Sequence, residues 1–343
     1  MARKTKMNII TTPERLAQVN PKNTELLNDF KDYLRSVQRS ETTIAGYEND
    51  IQIAWVWSLS HNNNAFFVDW TKRQVVKYQN WLLNENGNSP ARIRRLKSSL
   101  SSLSNFIETI LDEDYPNFRN IIKKVESPIN QPVREPSVWS EEELQELLDK
   151  LIEKKQYEKA CYLSLGMCSG RRKAELCRFK VSDFDDDKLV CGGALYKSSP
   201  IKTKGRGKGK FIPCYTLAKK FKPYLDLWMN EREKKGIKSI WLFPKVNSNS
   251  GEDEHIGIST ANSWSTTFDK MSDKNYYVHS LRHFWTTELY KAGIPESVIQ
   301  SLQSWQDIGM VSVYNDCSTD EQIEMYFKDG DIIAPQKKGI EEL

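Results

Sequence analysis

Residues 279–314 read HSLRHFWTTELYKAGIPESVIQSLQSWQDIGMVSVY, and how this stretch is read decides what kind of chain carries it. His279 and Arg282 stand three apart at the start of a helical pattern, so an imidazole and a guanidinium share one helix face. Such a pair can converge on one anionic group. Tyr314 closes the stretch with a hydroxyl, a group able to attack phosphorus. Whether further cations complete an anion pocket depends on the rest of the chain.

At 343 residues the chain has room for two domains, each with its own core. No apolar run approaches the length of a membrane span, and the basic start MARKTKMNII lacks the apolar core of a secretory signal. A soluble, cytoplasmic protein with no membrane partner is expected. The net charge of +4 argues only weakly for a polyanionic partner, so local clusters of charge must decide. Six scattered cysteines form no C-x-x-C pair, and the four histidines form no HExxH pattern. Reduced thiols, no metal site and no cofactor are expected.

Working back from the quoted stretch, the fold class reads as mainly α with a small antiparallel β-sheet (α+β). Residues 1–20 read as a flexible basic tail, and 21–126 as an all-helical domain. Its helices are expected near 24–37, 43–59, 72–84 and 89–111, with a shorter one near 117–125. In the third of these, Val75, Val76 and Trp81 are expected to point inward. In the fourth, Ile93, Leu96, Leu100, Leu103 and Ile107 make one apolar stripe. Prolines 128, 132 and 136 mark a linker over 127–138. The second domain, 139–330, is helical except for strands between Val181 and Cys214, and 331–343 reads as a disordered tail.

Two clusters of cations stand out. Arg92, Arg94, Arg95 and Lys97 crowd the start of the fourth helix with no acid nearby, which suits either a solvated turn or contact with phosphates. Between Lys197 and Lys210 a glycine-rich hairpin carries Lys202, Lys204, Arg206 and Lys208 and no acid. Lysines can blunt a sheet edge, but glycine and lysine together fit a finger lying against nucleic-acid backbone better. A third element, Gly170-Arg-Arg-Lys-Ala-Glu175, places Glu175 three residues after Arg172, where its carboxylate can orient that guanidinium.

The ordered set resembles the tyrosine recombinases, the phage integrase family. SGRRKAEL is similar to that family's TGLRxxEL box, which assigns Arg172 and Glu175. HSLRHFWTT is similar to HxLRHxxxT, which assigns His279 and Arg282, and LQSWQDIGMVSVY resembles LGHxxxxxTxxxY. Trp305 stands where the second histidine usually is, nine residues before Tyr314, as in the subset typified by Cre. The glycine of the LGH element is missing, and the hairpin is longer than usual, so the catalytic lysine is assigned to Lys204 with Lys202 as runner-up. The resemblance implies a SAM-like core-binding, DNA-binding domain followed by a catalytic domain. It also implies a double-stranded DNA partner with inverted half-sites and a homotetramer on DNA that is a monomer or weak dimer when free.

The implied reaction is strand cleavage and rejoining through a 3′-phosphotyrosine and a Holliday junction, without metal or ATP. Tyr314 would be the nucleophile, with Arg172 and Arg282 on the phosphate oxygens and Glu175 positioning Arg172 and His279. His279 would assist proton removal, the hairpin lysine would protonate the leaving 5′-oxygen, and Trp305 would donate from its indole N–H. Two readings compete: a type IB topoisomerase with a similar pocket, and a DNA-binding protein of the same fold that does not cleave. A binder has no need of a nucleophile, and the two-domain length argues against the topoisomerase.

Overall fold

Helix starts in the N-terminal half are set by capping side chains. In this computed structural model the residues described are 7–129, 138–203, 209–245, 253–272, 274–328 and 331–332. The chain forms two compact units that divide near residue 135.

The first unit holds α1 (Met7–Ile10), α2 (Pro13–Leu16), α3 (Pro21–Ser36), α4 (Glu41–His61), α5 (Lys72–Asn80) and α6 (Pro90–Ile110). Asn20, Ser40 and Ser89 each accept a backbone N–H of the first helical turn, and Pro21 and Pro90 occupy first-turn positions that need no donor. The α6 stripe Ile93, Leu96, Leu100, Leu103 and Ile107 is its buried face. It packs with Phe30 of α3 and with Trp55 and Trp57 of α4 in one aromatic-rich core.

Three sequence expectations for this unit are corrected. Residues 7–20 are not a tail: Ile10 and Val19 are buried in the core, and Asn20 is hydrogen-bonded to Asn64. Val76 is exposed, and Tyr78, three residues after Val75 and so on the same helix face, is buried instead. The helix expected at 117–125 is only a 3₁₀ turn, Ile122–Lys124, because Asn120 spends its side chain on the N–H of Ile122 and on the Ser101 carbonyl instead.

The second unit begins with α7 (Glu141–Glu153), started by a reciprocal Ser140–Glu143 capping box. Then come α8 (Tyr157–Ser169) and α9 (Lys173–Leu176). Five short strands follow: β1 (Leu189–Val190), β2 (Leu195–Lys197), β3 (Ile201–Thr203), β4 (Lys210–Ile212) and β5 (Tyr215–Leu217). The single sheet expected here is two: an antiparallel β1-β2-β5 sheet, and a separate β3-β4 ribbon.

The rest is helical: α10 (Ala218–Lys234), α11 (Ile258–Met271), α12 (Val278–Lys291), α13 (Glu296–Gln303), α14 (Gly309–Tyr314) and α15 (Thr319–Glu324). The tail expected from residue 331 is also corrected in part, since β6 (Phe327–Lys328) pairs with β7 (Asp331–Ile332). Helix α8 is buried over most of its circumference and packs against α7, α10, α12 and β5. Gly166 sets its closest approach to α12, because a Cβ there would lie 2.4 Å from the Leu281 Cδ1. No helix among the described residues is long and apolar enough to cross a membrane.

One buried side chain in the first unit ties its loops to a helix. Asn23 is fully buried, donates to the Ala65 carbonyl at 3.1 Å and accepts from the Phe67 N–H at 2.8 Å. Replacing it by leucine leaves both backbone groups unpaired in the core. Asn23→Leu should therefore destabilise this unit by roughly 2–4 kcal/mol, read from denaturant unfolding of the full chain.

Candidate active site

The site is built on the point where α8 stops. Helix ends leave carbonyls without partners, and here side chains from α12 and α13 take them up. Trp285 Nε1 donates to the Cys168 carbonyl at 3.2 Å, Gln303 Nε2 to Ser169 at 3.0 Å, and Arg282 Nη1 to Gly170 at 3.1 Å. Gly170 is required twice over: it sits at φ +58°, and a Cβ would meet Gln303 Nε2 at 2.6 Å and Trp285 at 3.0 Å. Arg171, fully buried in the next position, donates to the Leu302 carbonyl. The turn and the two helices are thus stitched into one block.

Arg172 emerges from this block at the start of α9, with its side chain about one-third exposed. Glu175 is buried and accepts from the Arg172 backbone N–H and from its Nη1, both at 3.1 Å. Thr203 of β3 donates its hydroxyl to the same carboxylate. Burial alone would raise the Glu175 pKa, but the Thr203 hydroxyl and the charges of Arg171 and Arg172 outweigh it and hold the carboxyl below its ordinary value. Among the described residues the hydrogen bonds to Glu175 come from Arg172 and Thr203, so this acid makes no direct hydrogen bond to His279.

Arg282 lies at the centre. Its guanidinium is completely buried and rests 4.7 Å from the Trp305 ring centroid and 5.1 Å from that of Tyr314. Those two rings stack at 5.3 Å with planes 13° apart. Burial, then the neighbouring Arg172 charge, pulls the Arg282 pKa down to about 10, which still leaves it cationic at neutral pH. Among the described residues its Nε and Nη2 have no hydrogen-bond partner, and neither has the buried Trp305 Nε1. Three buried donors beside a second guanidinium are what an oxyanion of phosphate would satisfy.

His279 is exposed in the first turn of α12. Partial burial, then the positive charge of Arg282 and Arg172, lowers its pKa, so it is neutral over more of the physiological range than a free imidazole. The turn of the third box is kept without its glycine: Ser304, just before Trp305, takes the left-handed conformation at φ +54°.

The structure therefore brings together Arg172, Glu175, Arg282, Trp305 and Tyr314, with His279 within their field. Lys204, Arg206 and Lys208 lie outside the described residues. Lys202 is exposed on β3 on the face opposite Thr203, with its side chain over Gly209. In the first unit, Arg92 and Arg95 pair with the buried Asp50 of α4, at 2.7 Å and 3.1 Å. Arg94 is exposed and donates to the Pro128 carbonyl. Lys97 is a correction: it is buried, and its ammonium is spent on Gln79, Val125 and Glu126, so it does not face a phosphate. Sequence reasoning missed Thr203, Arg171 and Gln303. A polar side chain at an otherwise apolar motif position was the available signal for the last two.

Comparison with known proteins gives the same direction. A recombinase-like protein, YomM, derived from the SPbeta prophage of Bacillus subtilis is 28% identical over 229 residues, covering 66% of this chain and 66% of that protein. A tyrosine recombinase of Thermosipho africanus is 23% identical over 308 residues, covering 88% and 98%. Among solved structures, a lambda integrase tetramer bound to a Holliday junction shares the fold with a TM-score of 0.62 at 17% identity, covering 92% of this chain and 81% of that one. The Phage integrase family model matches residues 138–321, more than half of the chain. That match encloses every residue from the Gly170 turn to Tyr314, and this chain belongs to the phage integrase family.

Proposed function

We propose that the protein is a site-specific DNA recombinase, an integrase, in which Tyr314 is the nucleophile. One observation carries the assignment: the Tyr314 ring lies against the Arg282 guanidinium, so a nucleophilic oxygen and an anion-binding cation share one pocket. Attack of Tyr314 Oη forms an O–P bond, and the bond from phosphorus to the 5′-oxygen breaks. Arg172 and Arg282 hold the non-bridging oxygens as charge develops on them, and Trp305 Nε1 adds a donor. Neutral His279 takes the tyrosine proton. Lys204, with Lys202 as the alternative, delivers a proton to the leaving 5′-oxygen. The phosphotyrosine keeps the bond energy, so rejoining needs no ATP, and attack by a partner's 5′-end gives a four-way junction.

The family match and the relatives named recombinases support this reading. The partner is double-stranded DNA with inverted half-sites, met in the cytoplasm by four copies of the chain. Lambda integrase is a tetramer on its junction, which supports that assembly. Arg92, Arg94 and Arg95 are the first unit's contribution to the phosphate backbone, through α6.

The decisive experiment uses a nicked duplex carrying the recombination site, incubated with chelator. Wild type should trap a covalent protein–DNA adduct and Tyr314→Phe should trap none. An adduct that persists in Tyr314→Phe removes Tyr314 from the role, and no adduct from wild type on its own site favours a DNA-binding protein that does not cleave.

The lysine is tested by leaving-group chemistry. Lys204→Ala should slow cleavage by about 10²- to 10⁴-fold, and a 5′-bridging sulfur, which leaves without a proton, should restore it. Rescue of Lys202→Ala instead would move the role to Lys202.

His279 is tested by NMR titration of its ring protons. Its midpoint should fall below that of an ordinary imidazole. In Arg172→Ala it should rise, because removing a neighbouring cation favours the protonated ring.

A further inference from the structure

We infer that His283 and Thr287 are positioning residues that latch the nucleophile's segment onto α12, an inference that rests on Tyr314 being the nucleophile. Tyr314 is the last residue of α14, a helix of six residues in which only Val311 is buried. The chain leaves the helix at once, since Asn315 is extended. A side chain at the end of so short a helix is placed only as well as that end is held.

What holds it is one stripe of α12. His283, Thr287 and Lys291 are spaced four apart and so lie in a row. His283 Nδ1 is 3.0 Å from the Asp316 carboxylate, with both side chains largely buried. The Thr287 hydroxyl accepts from the Asp316 backbone N–H at 2.9 Å and reaches the Tyr314 carbonyl at 3.5 Å. One hydroxyl thus bridges two peptide groups, including the carbonyl that the end of α14 leaves unpaired. Lys291 pairs with Glu321 of α15 at 3.3 Å, further along the same row. The His283 ring also packs on the Tyr314 ring, with centroids 4.8 Å apart.

Arg282 is the immediate neighbour of His283. The residue that holds the phosphate and the residues that hold the nucleophile's tail therefore stand on one rigid rod. Both sets of anchors stand on α12, and through Asp316 they also hold the loop that follows Tyr314. Loss of the latch should leave the phosphate ligands and the core intact while the tyrosine drifts. A misplacement of about 1 Å is enough to cost on the order of 10²-fold in rate.

The test uses the full chain on the nicked duplex. Thr287→Val keeps the shape and removes the hydroxyl, Thr287→Ser restores it, and Asp316→Asn offers a second, loop-borne change. Thr287→Val and Asp316→Asn should form adduct about 10- to 100-fold more slowly than wild type, with unchanged affinity for the duplex. Amide hydrogen exchange at Asp316 should quicken in Thr287→Val, and Thr287→Ser should recover both rate and protection. A Thr287→Val protein that cleaves at the wild-type rate would overturn the latch, as would slow cleavage with Asp316 protection unchanged. His283→Asn keeps a donor toward Asp316 and should cleave faster than His283→Ala. Equal loss in the two would mean that His283 handles a proton and is no latch. Wild type forming no adduct would instead sink the reading of Tyr314 itself.

Discussion

The buried guanidinium of Arg282 is the interaction on which the second unit depends. Taking a cation out of water costs several kcal/mol unless its donors and charge are met. Here one N–H meets the Gly170 carbonyl and the plane meets two aromatic faces. That arrangement dictates the neighbours: a left-handed glycine to bring the carbonyl in, Trp305 to cover the cation, and Tyr314 stacked on Trp305. The remaining donors have no hydrogen-bond partner among the described residues, and a second guanidinium, that of Arg172, lies close enough to depress the Arg282 pKa. A core that tolerates this is organised for an anion, and folding and function pull on the same residue.

The helical boxes of the site were legible because helical spacing is rigid. A spacing of three from His279 to Arg282, and from Arg172 to Glu175, fixes geometry by itself. Nine residues from Trp305 to Tyr314 do so only through the turn at Ser304, whose left-handed backbone does the work of the absent glycine. The hairpin was less legible. Its two strands are only three residues long and form a ribbon of their own, so alternation is too short to fix which lysine faces the site. Thr203 could not be seen because it meets Glu175 across 28 residues of sequence. Lys97 was misread for a general reason: four cations in six residues look alike in sequence, and only tertiary contacts show which ammonium is sealed inside.

The two units handle arginine in the same way. In each, a buried carboxylate holds guanidinium groups whose other donors remain accessible: Asp50 for Arg92 and Arg95, Glu175 for Arg172. Asp50 is further fixed by the Ser99 hydroxyl at 3.0 Å, as Glu175 is by Thr203. A free arginine loses about 2 kcal/mol of rotamer entropy when it is immobilised on a ligand. An arginine already held by a buried acid has lost part of that freedom on folding, so it binds phosphate at lower cost and in a fixed direction. The acid also removes one positive charge from the cluster, which lowers the repulsion between neighbouring guanidiniums in the absence of DNA. The modest net charge of +4 is therefore compatible with a nucleic-acid partner, because the basic side chains that matter are oriented individually and the molecule as a whole need not be strongly basic.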